Sequence, residues 1–112
     1  MSTIEHIEPA AADALIAAGA YLLDVRNADE WTLGHAPAAT LIPLGELATR
    51  AGELPTDRRI AVVCRSGGRS SQATEALVGA GYDAVNVAGG MQAWLDAGLP
   101  VVDDAGGPGT VG

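Results

Sequence analysis

The chain contains one cysteine, and the five residues after it are of types that favour a reactive thiolate. Residues 64–69 read Cys-Arg-Ser-Gly-Gly-Arg. Adjacent glycines let the backbone curl until several N–H groups point into one concavity, and the two arginines add positive charge. A free cysteine titrates near ~8.5, and such surroundings lower its pKa by one to several units. Cys64 is therefore the candidate catalytic nucleophile.

The same donors would hold an anionic substrate or a charged leaving group. The candidate substrate-binding residues are Arg65, Ser66, Gly67, Gly68 and Arg69. The alternative is a buried cysteine with only a packing role, since free cysteine is among the most buried residue types. Packing alone gives no reason to place two guanidinium groups within five residues of the sulfur.

The composition excludes several other classes of site. A single cysteine can form neither an internal disulfide nor a cysteine-based zinc site, and His6 and His35 lack ligand spacing, so we expect no metal and no cofactor. All six basic residues are arginine. A Walker A loop, a pyridoxal-phosphate Schiff base and a lysine general base all need the lysine that this chain lacks.

Chain length, net charge and hydropathy limit the number of domains, the classes of partner and the location that we expect. A length of 112 residues fits one domain, and 48% apolar residues are enough for a core. The net charge of −8 disfavours nucleic acid and anionic membranes as partners. No apolar run approaches the ~20 residues of a membrane span. The first residues show no signal-peptide pattern, so we expect a cytoplasmic location.

The elements that must position Cys64 are a strand and a helix. Residues 60–64 form a continuous apolar run, which predicts a strand covered on both faces. A helix is predicted over 70–79, with Ser70 as its N-cap and as a support for the loop. Cys64 would then lie at the carboxyl end of a strand, facing a helix N-terminus, where α/β folds place their ligands.

Similar clusters occur along the rest of the chain. Strands are predicted at 3–7, 21–25, 40–42 and 84–87, and helices at 9–19, 27–33, 44–54 and 91–97. Asn27 with Glu30 three residues later is typical of a capping box. Alternating strands and helices indicate an α/β fold around a mostly parallel sheet. We expect one domain over 1–102 and a flexible, glycine-rich tail over 103–112.

Four motifs in order resemble one family, the rhodanese-like sulfurtransferases. They are Leu22–Arg26 with Glu30-Trp31, Gly34–Ala39 with Ile42–Leu44, Cys64-x-x-Gly67-x-Arg69, and Gly89–Trp94. The resemblance covers about residues 3–101. It implies a sandwich with a central, mostly parallel five-stranded sheet flanked by helices.

The resemblance also implies a two-step reaction. The Cys64 thiolate would attack the outer sulfur of thiosulfate or of a persulfide, and backbone N–H groups of residues 65–69 would cradle the Cys64 persulfide. Cyanide, a thiol or a protein sulfur acceptor would then take the sulfur. Because the chain has no second cysteine, the sulfur must leave to an acceptor outside it.

The resemblance leaves two alternatives. Related phosphatases and arsenate reductases carry a Cys-x5-Arg loop, which is one residue longer than the Cys-x4-Arg of this chain. Some rhodanese-like domains are non-catalytic interaction modules, but these lack the cysteine. The resemblance further implies that Asp24 and Arg26 brace the loop, whereas a local surface ion pair is the simpler explanation. It gives His35 a structural role, and we expect Trp31 and Trp94 to serve packing.

Overall fold

The apolar clusters of the sequence become five strands of one sheet, with helices between them. The computed structural model describes residues 3–111. The strands are β1 (His6–Ile7), β2 (Tyr21–Asp24), β3 (Ala39–Leu41), β4 (Ile60–Val63) and β5 (Ala84–Val87). The helices are α1 (Pro9–Ala17), α2 (Ala28–Leu33), α3 (Leu47–Arg50), α4 (Gly68–Gly79) and α5 (Gly90–Asp96).

All neighbouring strands in the sheet are parallel, in the order β1-β5-β4-β2-β3. The predicted mostly parallel, five-stranded sheet is therefore confirmed and is parallel throughout. Parallel strands end at the same edge, so the residues that follow β2, β4 and β5 meet there. Those residues include Arg26, Cys64 and Gly90.

Each face of the sheet is covered by its own layer of helices. Val62 and Cys64 lie in one buried cluster with Leu47 of α3 and Leu77 of α4. The opposite cluster contains Val63 with side chains of α1 and α5, including Ala12, Met91 and Trp94. All four residues of β4 are buried, as its continuous apolar run predicts. Because β4 is the middle strand, Cys64 lies directly after it at the centre of the carboxyl edge of the sheet.

Two differences from the predicted helices concern residues 44–54 and the start of α4. The helix predicted over 44–54 is a 3-10 turn at Leu44–Glu46, a short α3 and a second 3-10 turn at Ala51–Glu53. Gly45 and Gly52 lie in those turns, and glycine lowers helix propensity by about 1 kcal/mol. The second difference is α4, which begins at Gly68, two residues before Ser70.

The segment expected to be a flexible tail makes regular backbone contacts in the structure. Val102 forms an antiparallel bridge with His35 and a second one with Pro108. The Thr110 N–H donates to the Leu33 carbonyl at 3.0 Å, and a side chain at Gly34 would collide with the Thr110 backbone. These contacts are made by backbone atoms, so the pattern of side chains in this segment could not predict them.

Candidate active site

The sulfur of Cys64 lies at the base of the loop and accepts hydrogen bonds from it. The Gly67 N–H donates to Sγ at 3.1 Å, and the Ser70 hydroxyl donates at 3.2 Å. Burial by itself would raise the pKa of the thiol. The Ser70 hydroxyl and the N–H groups of Ser70, Gly67 and Ser66 outweigh this effect, so the pKa of Cys64 is lowered. The expectation of a stabilised thiolate therefore agrees with the loop geometry.

Ser70 contributes differently from the sequence-based expectation. The N-cap of α4 is Gly67, and Ser70 lies inside the first helical turn with no exposed surface. A hydroxyl in this position points back over the start of the helix and reaches the sulfur. The prediction that Ser70 caps the helix is therefore wrong, and its hydroxyl instead contacts Cys64 at the base of the loop.

The two glycines of the loop are not equivalent. Gly67 has φ +110°, a conformation that side chains rarely adopt, and it makes the turn that aims its own N–H at the sulfur. Gly68 does not have a positive φ, and a Cβ there would meet no atom within 4 Å. Gly68 is therefore not needed for the curl of the backbone that the pair was expected to permit.

Arg69 is held by a carboxylate from another element. Its Nη1 donates to Glu30 Oε1 at 2.6 Å and its Nη2 donates to Oε2 at 2.8 Å. These hydrogen bonds, joined by one from the Asn27 N–H, lower the pKa of Glu30 to about 2. The sequence predicts Arg69 as a substrate-binding cation, whereas the structure pairs its charge with Glu30. Sequence reasoning noted Glu30 in a capping box, which is present, and in the Glu30-Trp31 motif, but predicted no contact between Glu30 and Arg69.

Arg65 lies on the other rim of the loop, where the loop meets α5. Its side chain is exposed, as is that of Ser66. With its amide oxygen turned toward Arg65, Gln92 accepts from Nη1 at 3.2 Å and from Nη2 at 3.1 Å. The structure therefore places the two loop arginines against different helices, Arg69 toward α2 and Arg65 toward α5.

Asp24 and Arg26 form a buried ion pair, not a surface one. The guanidinium donates to the Asp24 carboxylate through Nη2 at 2.8 Å, and the two side chains are 1% exposed or less. Nη2 also donates to the Gly34 carbonyl at 2.7 Å. The pair thus ties the end of β2 to the end of α2, the helix that carries Glu30. The pair is connected to the Cys64 loop through α2, since Glu30 of that helix contacts Arg69. Support of the loop by this pair stays a prediction.

The N-terminus of α5 holds the backbone of the loop from behind. The Met91 N–H donates to the Cys64 carbonyl at 2.7 Å, and the Gln92 N–H donates to the Arg65 carbonyl at 3.0 Å. Gly90, with φ +59°, lies so close that a Cβ would collide with the carbonyl groups of both residues. Sequence reasoning assigned Gly90 no role. The glycine pair before Met91 was the signal that could have revealed this close approach.

His35, Trp31 and Trp94 make hydrogen bonds and ring contacts within the fold. The Trp31 carbonyl can only accept, so His35 donates to it through Nδ1 at 2.9 Å, and the two rings stack with centroids 3.7 Å apart. Trp94 is buried and donates through Nε1 to the Pro100 carbonyl at 3.0 Å. The geometry agrees with the structural role expected for His35.

Other features of residues 3–111 lie apart from this loop. An apolar groove of about 350 Å³ runs between α3 and α4, and none of its lining residues belongs to the loop. No group of three or more His, Cys, Asp or Glu side chains in this range could hold a metal ion. Nor does any helix within it have the length and apolar character to cross a membrane.

Several known proteins are similar to this chain in sequence, and solved structures are similar to it in fold. A sulfurtransferase of Allochromatium vinosum is 42% identical over 82 residues, which cover 72% of this chain and 77% of that protein. Thiosulfate sulfurtransferase 18 of Arabidopsis thaliana is 38% identical and covers 88% of the chain and 83% of its own length. The crystal structure of a rhodanese-related protein from Thermoplasma volcanium superposes with a TM-score of 0.83 at 37% identity, covering 88% of this chain and 97% of its own.

The family model for the rhodanese-like domain matches residues 8–97. This span contains all five helices and four complete strands, together with the six-residue loop and its supports. On the agreement of sequence, fold and loop, the chain belongs to the rhodanese-like domain family.

Proposed function

We propose that the chain is a sulfurtransferase that moves sulfane sulfur through a persulfide on Cys64. The observation that carries the proposal is the pair of hydrogen bonds that Gly67 and Ser70 donate to the sulfur. They stabilise a thiolate without a separate general base, and a thiolate is the nucleophilic form of cysteine. The sulfurtransferase relatives support the same activity.

In the first step the thiolate attacks the outer sulfur of the donor. With thiosulfate, the new Cys64 S–S bond forms while the donor S–S bond breaks, and sulfite leaves with the electron pair. With a protonated persulfide, a thiol leaves instead and takes the proton. Covalent catalysis of this kind divides one difficult transfer into two easier steps.

The Cys64 persulfide then needs an acceptor from outside the chain. The terminal sulfur carries the negative charge, and N–H groups of residues 65–69 are the donors available to it. Cyanide or a thiolate attacks that sulfur, and the electron pair of the broken bond returns to Cys64. Because Cys64 is the sole cysteine, no internal thiol can compete for the sulfur.

A buried sulfur and a short loop weigh against phosphate chemistry. Cys64 is 1% exposed, which favours a donor that presents a slender terminal sulfur over a tetrahedral phosphoryl group. A Cys-dependent phosphatase or arsenate reductase remains the alternative activity, and a non-catalytic interaction module is the alternative without chemistry.

Intact mass spectrometry tests the proposal. After incubation with thiosulfate we expect a gain of about 32 Da on Cys64, one sulfur atom, that cyanide removes as thiocyanate. A sulfinic acid has nearly the same mass but is not reversed by cyanide, so reversal distinguishes the two. Cys64→Ser should show neither the adduct nor turnover. Absence of a reversible adduct with thiosulfate and with glutathione persulfide, or release of phosphate from an aryl phosphate, would overturn the proposal.

A further inference from the structure

Arg69 has the position of a substrate-binding cation, but its guanidinium is bound by the Glu30 carboxylate. We propose that Glu30 determines donor specificity, because it neutralises Arg69 and thereby favours a persulfide over dianionic thiosulfate as the sulfur donor. The inference rests on the proposed sulfur transfer and names its donor class.

The hold of Glu30 on Arg69 is geometrically strong. Both terminal nitrogens of the guanidinium are used in a bidentate contact, at 2.6 and 2.8 Å. Glu30 Oε1 also accepts from the Asn27 N–H at 3.1 Å, so the carboxylate is fixed by its own helix. The side chains of Arg69 and Glu30 are 35% and 23% exposed, which shields the pair from solvent more than an ordinary surface pair. A donor must compete with this carboxylate to reach Arg69.

Arg26 is likewise paired with a carboxylate, that of Asp24. Arg26 contacts Asp24 through Nε and Nη2, and its remaining contacts go to the backbone carbonyls of Glu30 and Gly34. The two carboxylates therefore cancel the two guanidinium charges that lie between β2 and the loop. The main contributions that stabilise the thiolate are the N–H and hydroxyl dipoles from Ser66, Gly67 and Ser70.

The two donor classes bring different charges into this site. Thiosulfate adds two negative charges beside the thiolate, whereas the persulfide group itself adds none when protonated and one when ionised. Dipoles of the loop suit one anionic sulfur, but a sulfonate group needs a full cation to offset its charge. Whatever Arg65 contributes, the pairing of Arg69 with Glu30 shifts the preference of the site toward the persulfide.

The experiment compares kcat/KM for thiosulfate and for glutathione persulfide in four proteins. In Glu30→Gln, the amide oxygen can still accept from the Asn27 N–H, while the charge of Arg69 is no longer offset by a carboxylate. We expect kcat/KM for thiosulfate to rise about tenfold and to fall more steeply with added salt, with less than about a threefold change for the persulfide. The matched control is Glu53→Gln, which removes the same charge from an exposed bidentate pair with Arg50. It should leave both values unchanged.

The double variant Glu30→Gln/Arg69→Gln makes the test decisive. If Glu30 acts by neutralising Arg69, removal of both charges returns the ratio of the two kcat/KM values to within about threefold of the wild type. If Arg69 binds thiosulfate directly in the wild type, the double variant loses thiosulfate turnover selectively, which overturns the inference. An unchanged ratio in Glu30→Gln also overturns it. Wild-type protein that forms no Cys64 persulfide with either donor would instead defeat the proposed function. Arg65 is the same in all four proteins and cannot cause a difference.

Discussion

The hydroxyl of Ser70 lies 3.2 Å from the sulfur of Cys64 and donates a hydrogen bond to it from inside α4. A donor of this kind stabilises the thiolate relative to the thiol, so its loss raises the pKa of Cys64. We expect Ser70→Ala to move the acid limb of the pH profile of Cys64 alkylation to higher pH, since a hydrogen bond to a charged group is worth about 1.5–3 kcal/mol.

The measurement is the rate of Cys64 alkylation by iodoacetamide as a function of pH. Ser71→Ala is the matched control, because the Ser71 hydroxyl donates to the Gly67 carbonyl at 2.6 Å and the sulfur is not its partner. Its profile should match the wild type. Equal profiles for Ser70→Ala and the wild type would contradict the role assigned to the Ser70 hydroxyl.

Gly67 and Gly68 should respond oppositely to alanine. Gly67→Ala places a side chain at φ +110°, which we expect to cost about 1–3 kcal/mol of unfolding free energy. Gly68→Ala meets no neighbour and reduces the freedom of the unfolded chain, so it should be neutral or stabilising by up to about 1 kcal/mol. Urea denaturation monitored by tryptophan fluorescence measures both. A similar loss in the two variants would show that the conformation of Gly67 is not the cause.

Gly90 should tolerate substitution less well than Gly98, another glycine with positive φ. A Cβ at Gly90 collides with the carbonyls of Cys64 and Arg65, which α5 otherwise holds by hydrogen bonds. We expect Gly90→Ala to cost more than about 2 kcal/mol and to reduce sulfur transfer in the protein that remains folded. Gly98 has φ +78°, and a Cβ there would meet no atom within 4 Å, so Gly98→Ala reports the backbone strain alone.

Thermal denaturation and steady-state turnover separate the two effects. Gly98→Ala should be destabilised by about 1–2 kcal/mol and retain its kcat. Equal destabilisation of the two variants would mean that the collision of a Cβ at Gly90 with the loop costs no free energy beyond the backbone strain that both variants share.

The buried Asp24–Arg26 pair should matter far more to stability than the exposed pairs of Arg50. Arg26→Met leaves the Asp24 carboxylate buried without its partner, a change that costs about 3–5 kcal/mol in other proteins. Arg50→Met removes contacts with Glu46 and Glu53 at the surface and should cost less than about 1 kcal/mol. Urea denaturation at neutral pH measures the difference. Comparable losses would contradict the assignment of Asp24 and Arg26 as the brace of α2.

Patterns within a few residues were enough to predict much of this protein. The apolar run of residues 60–64 predicted β4, and the spacing of Asn27 and Glu30 predicted the capping box, which the structure contains. The lone cysteine with its glycines and arginines indicated an anion-binding loop. The predictions of β4 and of the capping box are confirmed, because strand formation and capping depend mainly on neighbours along the chain. Anion binding by the loop stays a prediction.

The tertiary structure decided which distant groups meet at that loop. Arg69 finds Glu30 39 positions away, and the carbonyls of Cys64 and Arg65 receive their donors from α5. No local pattern specifies such partners, because they depend on the order in which the sheet brings strand ends together. From sequence alone, Arg69 was a free cation beside the thiolate. The parallel sheet places β2 beside β4, and α2, which follows β2, supplies the carboxylate that neutralises Arg69.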